Sequence, residues 1–267
     1  MQPIVSSNPT GLKAFTYDAE NHLTGMTTSG TVASIVYDAF GNRVAKTVNG
    51  VTTKYLVEDD VNPTGYPQVL DELTGSTVTR TYTYGLQRIS QNQIVNGAWT
   101  TSFYGYDGGG NVRSLTNTAG AITDEYEYDA FGNSFTKVGT TPNNYLYRGE
   151  QYDPDLGLYY LRARYYNPAT GRFLSRDPLD GYINVPASLH KYLYADGDPV
   201  NGFDPTGRGD AIVEYALENG DAEASVSALH LTARQVQFDI CVEEILAGFA
   251  DTLLSWTRIF EYCGGAL

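Results

Sequence analysis

The first half of the chain alternates hydrophobic and polar residues in short runs separated by turn residues. Residues 31–37 and 43–48 are two such runs, and Asp, Gly and Asn lie between them. Alternation on both sides of a Gly-Asn turn predicts a β-hairpin. Asn49-Gly50 and Asn96-Gly97 are predicted to turn the chain at the opposite ends of these hairpins.

The hairpin pattern recurs at a nearly constant interval. Segments of the form YDxxGN or close to it begin at Tyr17, Tyr37, Tyr106 and Tyr128, and a degenerate copy contains Tyr84. One hairpin cannot bury its apolar face, but a row of hairpins forms a long antiparallel sheet that curls as strand twist accumulates. In each turn we expect the glycine to adopt a positive φ and the Asp to accept a backbone N–H bond.

Composition assigns the tyrosines to the scaffold and excludes some partners. The chain has 22 tyrosines in 267 residues, against 10 phenylalanines and 2 tryptophans, and tyrosine rings are expected to stack across strands. A formal net charge of −14 argues against nucleic acid as a partner. No apolar run approaches the ~20 residues of a membrane-spanning helix. The first fifteen residues contain no apolar signal-peptide core.

Two sequence features carry a resemblance to a known family. The Tyr-Asp segments, at intervals of about 20 residues, resemble the YD repeats of Rhs proteins, of the C components of insecticidal ABC toxins, and of the teneurins. The stretch RGEQYDPDLGLYYLRARYYNPATGRFLSRDP, from Arg148 to Pro178, resembles the Rhs repeat-associated core. The repeats occupy residues up to about 145, and the core continues to Gly207.

The resemblance implies a mainly β fold, in which an antiparallel β-hairpin sheet curls into a shell or barrel. It divides the chain into a YD-repeat array (1–145), a core that forms the closing turn and plug-like end (146–207), and a variable C-terminal tail (208–267). In the family this tail is often a toxin held inside the shell. Family shells are several times longer, so the chain corresponds to a fragment, a short version, or a piece that closes by assembling with copies of itself.

The composition changes after Gly207, which marks a domain boundary. All 11 prolines lie at or before Pro205, and both cysteines, Cys241 and Cys263, lie beyond the boundary. Apolar residues at steps of three and four predict a helix from about Thr232 to Tyr262. This helix is expected to pack on its own domain or a partner, and its acidic polar face argues against anionic membranes.

The resemblance also implies an intramolecular aspartyl autoprotease. Matched by motif, its catalytic residues are Asp177 of SRDP, Asp204 of DPTG and Arg164 of RARYY, and the cut falls near Arg208-Gly209. Two adjacent carboxyl groups share a proton, so that one activates water and the other protonates the scissile group. The chain departs from the family in the element DPLDG, where Asp180 is inserted, and in Arg208, where an apolar residue is usual.

The implied function is a Rhs-type shell that encapsulates or presents its tail, as a polymorphic toxin or secreted-effector carrier. Its partners would be its own tail, copies of itself or a longer Rhs shell, and an immunity protein, at a secreted or cell-surface location. Two alternatives stay open: a tyrosine-rich surface that binds carbohydrate without catalysis, and a self-assembling fibre joined through strand edges. No cofactor or metal is predicted, because His22, His190 and His230 lack metal-ligand spacing.

Overall fold

The computed structural model describes residues 4–8, 11–60, 64–181 and 186–209. The predicted helices of the tail lie outside these residues. Met1–Ala211 form one compact unit. Among the described residues there is no helix with the length and apolarity that a membrane crossing requires.

Thirteen strands form one antiparallel sheet in the order of the sequence. They are β1 (Ile4–Asn8), β2 (Gly11–Tyr17), β3 (Leu23–Thr27), β4 (Val32–Tyr37), β5 (Arg43–Val48), β6 (Val51–Glu58), β7 (Gln68–Thr74), β8 (Thr77–Tyr84), β9 (Arg88–Val95), β10 (Ala98–Tyr106), β11 (Val112–Thr116), β12 (Ile122–Tyr128) and β13 (Ser134–Val138). The mainly β, antiparallel hairpin prediction is therefore confirmed, including the strands predicted on both sides of residues 38–42.

A second, smaller sheet follows in the core segment. Its strands are β14 (Gln151–Asp153), β15 (Leu158–Leu161), β16 (Arg164–Asn167) and β17 (Arg172–Phe173), again paired in sequence order. Single 3₁₀ turns at Tyr147–Gly149, Pro186–Leu189 and Ala195–Gly197 complete the regular structure of the described residues.

The predicted turn chemistry is present at the Tyr-Asp repeats. The Asp38 carboxylate accepts the backbone N–H groups of Phe40 and Asn42, each at 2.9 Å. Asp107 and Asp129 make the same two bonds in their own turns. The glycines of the three turns have φ values of 84°, 76° and 88°. Each turn therefore stabilises itself and leaves the strands on either side in hairpin register.

The larger sheet covers both faces of the smaller one. Neighbouring residues of a strand point to opposite faces. Tyr159 of β15 packs in a buried cluster that includes Tyr126 of β12. Tyr160, the next residue, packs in a second cluster with Phe15 of β2. The first and last hairpins of the larger sheet therefore lie on opposite sides of the core segment, which fills the space between them.

In the described part of the chain the larger sheet is open, and the closed barrel among the predicted forms is not confirmed. β1 pairs with β2 and β13 pairs with β12, and no pairing joins β1 to β13 in the described part of the chain. The larger sheet has a physical reason to stay open. Strands that surround a second sheet need a larger circumference than a small barrel has.

Buried charges join the two sheets. Arg43 Nη1 of β5 lies 2.5 Å from Asp153 Oδ2 of β14, and these side chains are 1% and 0% exposed. Lys46 Nζ lies 2.6 Å from the other oxygen of Asp153. Burial alone would raise the pKa of Asp153, but attraction to the two cations outweighs it and holds that pKa below its usual range. The carboxylate is therefore ionised and fixes β14 against β5.

Candidate functional site

The β15–β16 turn holds the segment that carries Asp204. Ala163 N donates to Thr206 O at 3.1 Å, and Arg162 donates to Pro205 O. Gly207 has a φ of 69°, and a Cβ at this position would overlap the carbonyl oxygen of Leu161. Only glycine fits such an approach of two backbones. The final DPTG element is thus positioned by backbone contacts within the core segment.

Arg164 brings the two predicted aspartates together. Its Nη2 lies 2.7 Å from Asp177 Oδ2 and 3.2 Å from Asp204 Oδ2. The side chains of Arg164 and Asp204 are each 2% exposed, and that of Asp177 is 15% exposed. The guanidinium also lies over the ring of Phe173, 3.7 Å from its centroid. One fixed cation therefore contacts both carboxylates in a site nearly closed to solvent.

The electrostatics of the pair favour one shared proton. Burial raises the pKa of Asp204 to about 7, against the opposing attraction of Arg164 and with a further increase from the charge of Asp177. Burial likewise raises the pKa of Asp177, and Arg164 again opposes it. Two interacting carboxyl groups titrate as a unit, so near neutral pH the pair holds a proton that ordinary aspartates have lost.

The Asp204 carboxylate contacts the backbone at the predicted cut. Its Oδ1 accepts the N–H of Arg208 at 3.2 Å, and its Oδ2 accepts the N–H of Gly209 at 3.1 Å. Arg164 Nε donates to the carbonyl oxygen of Gly207. The structure therefore places all five residues singled out from the sequence in one site.

The insertion in DPLDG leaves this arrangement intact. Asp180, the inserted residue, has a side chain that is 95% exposed. Asp177 is held independently of it, because its Oδ1 accepts the N–H of Leu179 and its own N–H donates to Lys191 O, both at 2.9 Å. The departure from the family motif thus adds a surface residue and keeps the carboxylate that faces Arg164.

Sequence reasoning missed a supporting ion pair behind the site. Arg162 Nη1 lies 3.0 Å from both carboxylate oxygens of Glu150, and Arg162 also donates to the carbonyl oxygens of Pro67 and Pro205. This one side chain, in the β15–β16 turn, contacts the residue before β14, the residue before β7 and the DPTG element. The alternating arginines of the RARYY segment were the available signal, since Arg162 and Arg164 are two residues apart.

A cleft of about 430 Å³ gives access to the site. Its lining includes Arg164, Ser175 and Arg208 as well as Glu20 and His22 of the first Tyr-Asp turn. The sequence showed no metal-ligand spacing around His22, but in the structure candidate ligand atoms of Asp18, Glu20 and His22 lie within 4.8 Å of one another. Residues from the first hairpin and the core segment therefore share one solvent-accessible cleft.

Comparisons with known proteins show that the chain is similar to parts of longer bacterial proteins, among them a nuclease and a toxin. No family model matches the chain. It is 38% identical over 204 residues to the tRNA nuclease WapA of Bacillus subtilis strain 168, which covers 74% of this chain and 8% of WapA. It is 27% identical over 223 residues to double-stranded DNA deaminase toxin A of Burkholderia cenocepacia, covering 72% of this chain and 15% of that toxin. The chain thus spans a small part of the length of the curated relatives it matches.

A solved structure shares the fold. The crystal structure of TcdB2-TccC3 matches with a TM-score of 0.56 and 21% identity, over 73% of this chain and 10% of that chain. At this identity the likeness shows the fold alone. Together with the sequence relatives it supports a relationship to Rhs-like toxin proteins, in agreement with the broader part of the resemblance.

Proposed function

We propose that this chain is the enclosing and self-processing part of an Rhs-like toxin protein, and that it cuts its own backbone between Arg208 and Gly209. The observation that carries the proposal is the shared guanidinium of Arg164. It contacts both Asp177 and Asp204, while Asp204 contacts the N–H of Gly209. Residues from 209 onwards would then be released as cargo.

The geometry supports a division of labour between the two acids. Asp177, in its ionised form, takes a proton from a water molecule that attacks the carbonyl carbon of Arg208. Asp204 holds the shared proton and passes it to the amide nitrogen of Gly209 as the C–N bond breaks. The immediate products are a carboxylic acid on Arg208, which then loses its proton to solvent, and an amine on Gly209, while Asp177 ends protonated and Asp204 ionised. Arg164 keeps Asp177 charged by Coulomb attraction. It also holds the carbonyl group of Gly207, the residue before Arg208, in place.

Replacing one acid tests the proposal directly. We expect the expressed chain to yield two fragments on a denaturing gel, and Asp177→Asn to leave it intact, because the amide accepts no proton from water. Asp180→Asn is the matched control, since Asp180 lies in the same loop with its side chain exposed, and this variant should still yield two fragments. Intact wild-type chain, or cleavage that persists unchanged in Asp177→Asn, would refute self-processing.

The orientation of the tyrosines favours this proposal over a carbohydrate-binding surface. Of the tyrosines in the described residues, Tyr192 alone belongs to the exposed large side chains, at 41%. The others are buried or partly buried, and several pack ring against ring within the core segment, as in the pairs Tyr147–Tyr159, Tyr152–Tyr159 and Tyr166–Tyr194. Tyrosines that fill the interior are scaffold, as the repeat pattern predicts.

A further inference from the structure

The first Tyr-Asp turn differs from the turn that begins at Tyr37 at three positions, one of which is Asn21 in place of Gly41. YDAENHL has Glu20 and His22 where YDAFGN, beginning at Tyr37, has Phe40 and Asn42. The turn that begins at Tyr128 repeats the Phe and Asn of the second turn. The first turn therefore replaces an aromatic ring and an amide with a carboxylate and an imidazole, two groups that bind metal ions.

The backbone of the first turn is nevertheless the same. Asp18 Oδ1 accepts the N–H groups of Glu20 and His22, each at 2.9 Å, as Asp38 does in the second turn. His22 Nδ1 lies 3.2 Å from Asp18 Oδ2, in the place where Asn42 Nδ2 lies 3.3 Å from Asp38 Oδ2. The imidazole thus occupies the position of the asparagine amide without any change in the fold of the turn.

The distances from the His22 imidazole to the two carboxylates suit a tetrahedral metal ion. His22 Nδ1 lies 3.2 Å from Asp18 Oδ2 and 3.7 Å from Glu20 Oε2. Bonds of about 2.0–2.2 Å from Zn²⁺ to nitrogen and oxygen, at tetrahedral angles, separate neighbouring ligand atoms by roughly 3.3–3.6 Å. Both measured distances lie within about 0.1 Å of that range. The candidate ligand atoms of all three groups lie within 4.8 Å of one another, and a movement of the exposed Glu20 side chain would complete the set around one cation.

The imidazole is held in position by packing, which lowers the entropic cost of binding a metal. Its ring stacks on Tyr37, with 4.8 Å between ring centroids and 25° between the planes. The His22 side chain is 12% exposed, whereas that of Glu20 is 81% exposed and is free to swing onto a cation. Both residues line the cleft that reaches Arg164, so a fourth ligand can enter from solvent.

From this geometry we infer that Asp18, Glu20 and His22 form a binding site for a divalent transition-metal cation of the Zn²⁺ type, with a fourth position open to the cleft. Two carboxylates and a neutral imidazole supply the charge and the nitrogen ligand that such an ion prefers over Mg²⁺ or Ca²⁺. The inference does not depend on self-processing, because none of the three residues belongs to the acid pair.

The test is a titration of the whole, metal-free chain with Co²⁺, followed by its visible absorption, and then competition with Zn²⁺. We expect one site to be lost in His22→Asn, which restores the asparagine of the sister turns and its bond to the aspartate. Glu20→Gln should bind at least about tenfold more weakly. His190→Asn, which changes an exposed histidine elsewhere, should bind as the wild type does.

The comparison of wild type with His22→Asn isolates this site from the histidine and cysteines of the tail, which both proteins carry. Circular dichroism should show the same β signal for the two proteins. If His22→Asn retained the wild-type stoichiometry and affinity for Co²⁺, the proposed site would be wrong. Equal affinities of wild type and Glu20→Gln would remove Glu20 from the ligand set.

Discussion

Arg164 illustrates how a few contacts define the chemistry of a residue. It has two carboxylates on one nitrogen, a carbonyl oxygen on another and a phenylalanine ring against its plane. A buried cation with this many partners cannot reorient to follow one acid alone. It therefore holds both acids at a fixed separation, which is the preorganisation that the proposed self-cleavage requires.

The raised pKa of Asp204 predicts how the rate of the proposed self-cleavage depends on pH. Burial raises its pKa from 3.8 to about 7, so the protonated form persists to near neutral pH and is lost above it. Since the protonated acid protonates the leaving amine, the rate should fall about tenfold per pH unit on the alkaline side. The measurement is the loss of intact chain after dilution from denaturant into buffers of increasing pH. A rate that stays constant or rises through pH 8 and above would exclude this role.

At the scale of single elements, the Tyr-Asp turn also connects the two sheets. Gly132 in the turn after β12 has a φ of 88°, and a Cβ there would lie 2.6 Å from the ring of Tyr147. Gly132 O also accepts the hydroxyl of Tyr159 at 3.1 Å, and Phe131 O accepts that of Tyr166 at 2.8 Å. The turn therefore serves both as a hairpin end and as a contact surface for the core.

A pair of glycine variants separates these two roles. Gly120 has a similar φ of 77° but open space around it, so Gly120→Ala should cost only the backbone strain of about 1–2 kcal/mol. Gly132→Ala should lower the free energy of unfolding by about 1–3 kcal/mol more than Gly120→Ala does, because the methyl group also displaces Tyr147. Chemical denaturation of both variants measures the difference. Equal losses of unfolding free energy in the two variants would show that the contact between the Gly132 turn and Tyr147 does not stabilise the fold.

The sequence predicted hairpins well where one strand face is exposed. Alternation located β4 and β5, and the Asn49-Gly50 and Asn96-Gly97 turns have positive φ at both residues of each pair. The smaller sheet was not predicted as strands. All four residues of β15, LYYL, are buried, so the run shows no alternation. A strand covered on both faces looks in sequence like any short apolar run.

At the scale of the whole molecule, the fold depends on contacts between residues that are far apart in the sequence. Closure of the sheet into a barrel is not confirmed in the described residues, and nothing local in the sequence says how large an object the strands must surround. The Arg43–Asp153 pair joins residues 110 positions apart, and no periodicity reveals it. The three candidate catalytic residues came from a family motif, whereas the Glu150–Arg162 pair and the Asp18, Glu20 and His22 set became visible only when the chain was folded.

The central claim, that this fold positions a backbone cut beside Asp204, is tested most directly by the intact mass of the purified wild-type chain. The account predicts that the 29.2 kDa species is replaced by two fragments, one ending at Arg208 and the other beginning at Gly209. Fragments that divide at Gly207-Arg208 would keep the site and move the scissile bond by one residue. A single 29.2 kDa species that persists through refolding near neutral pH would contradict the account.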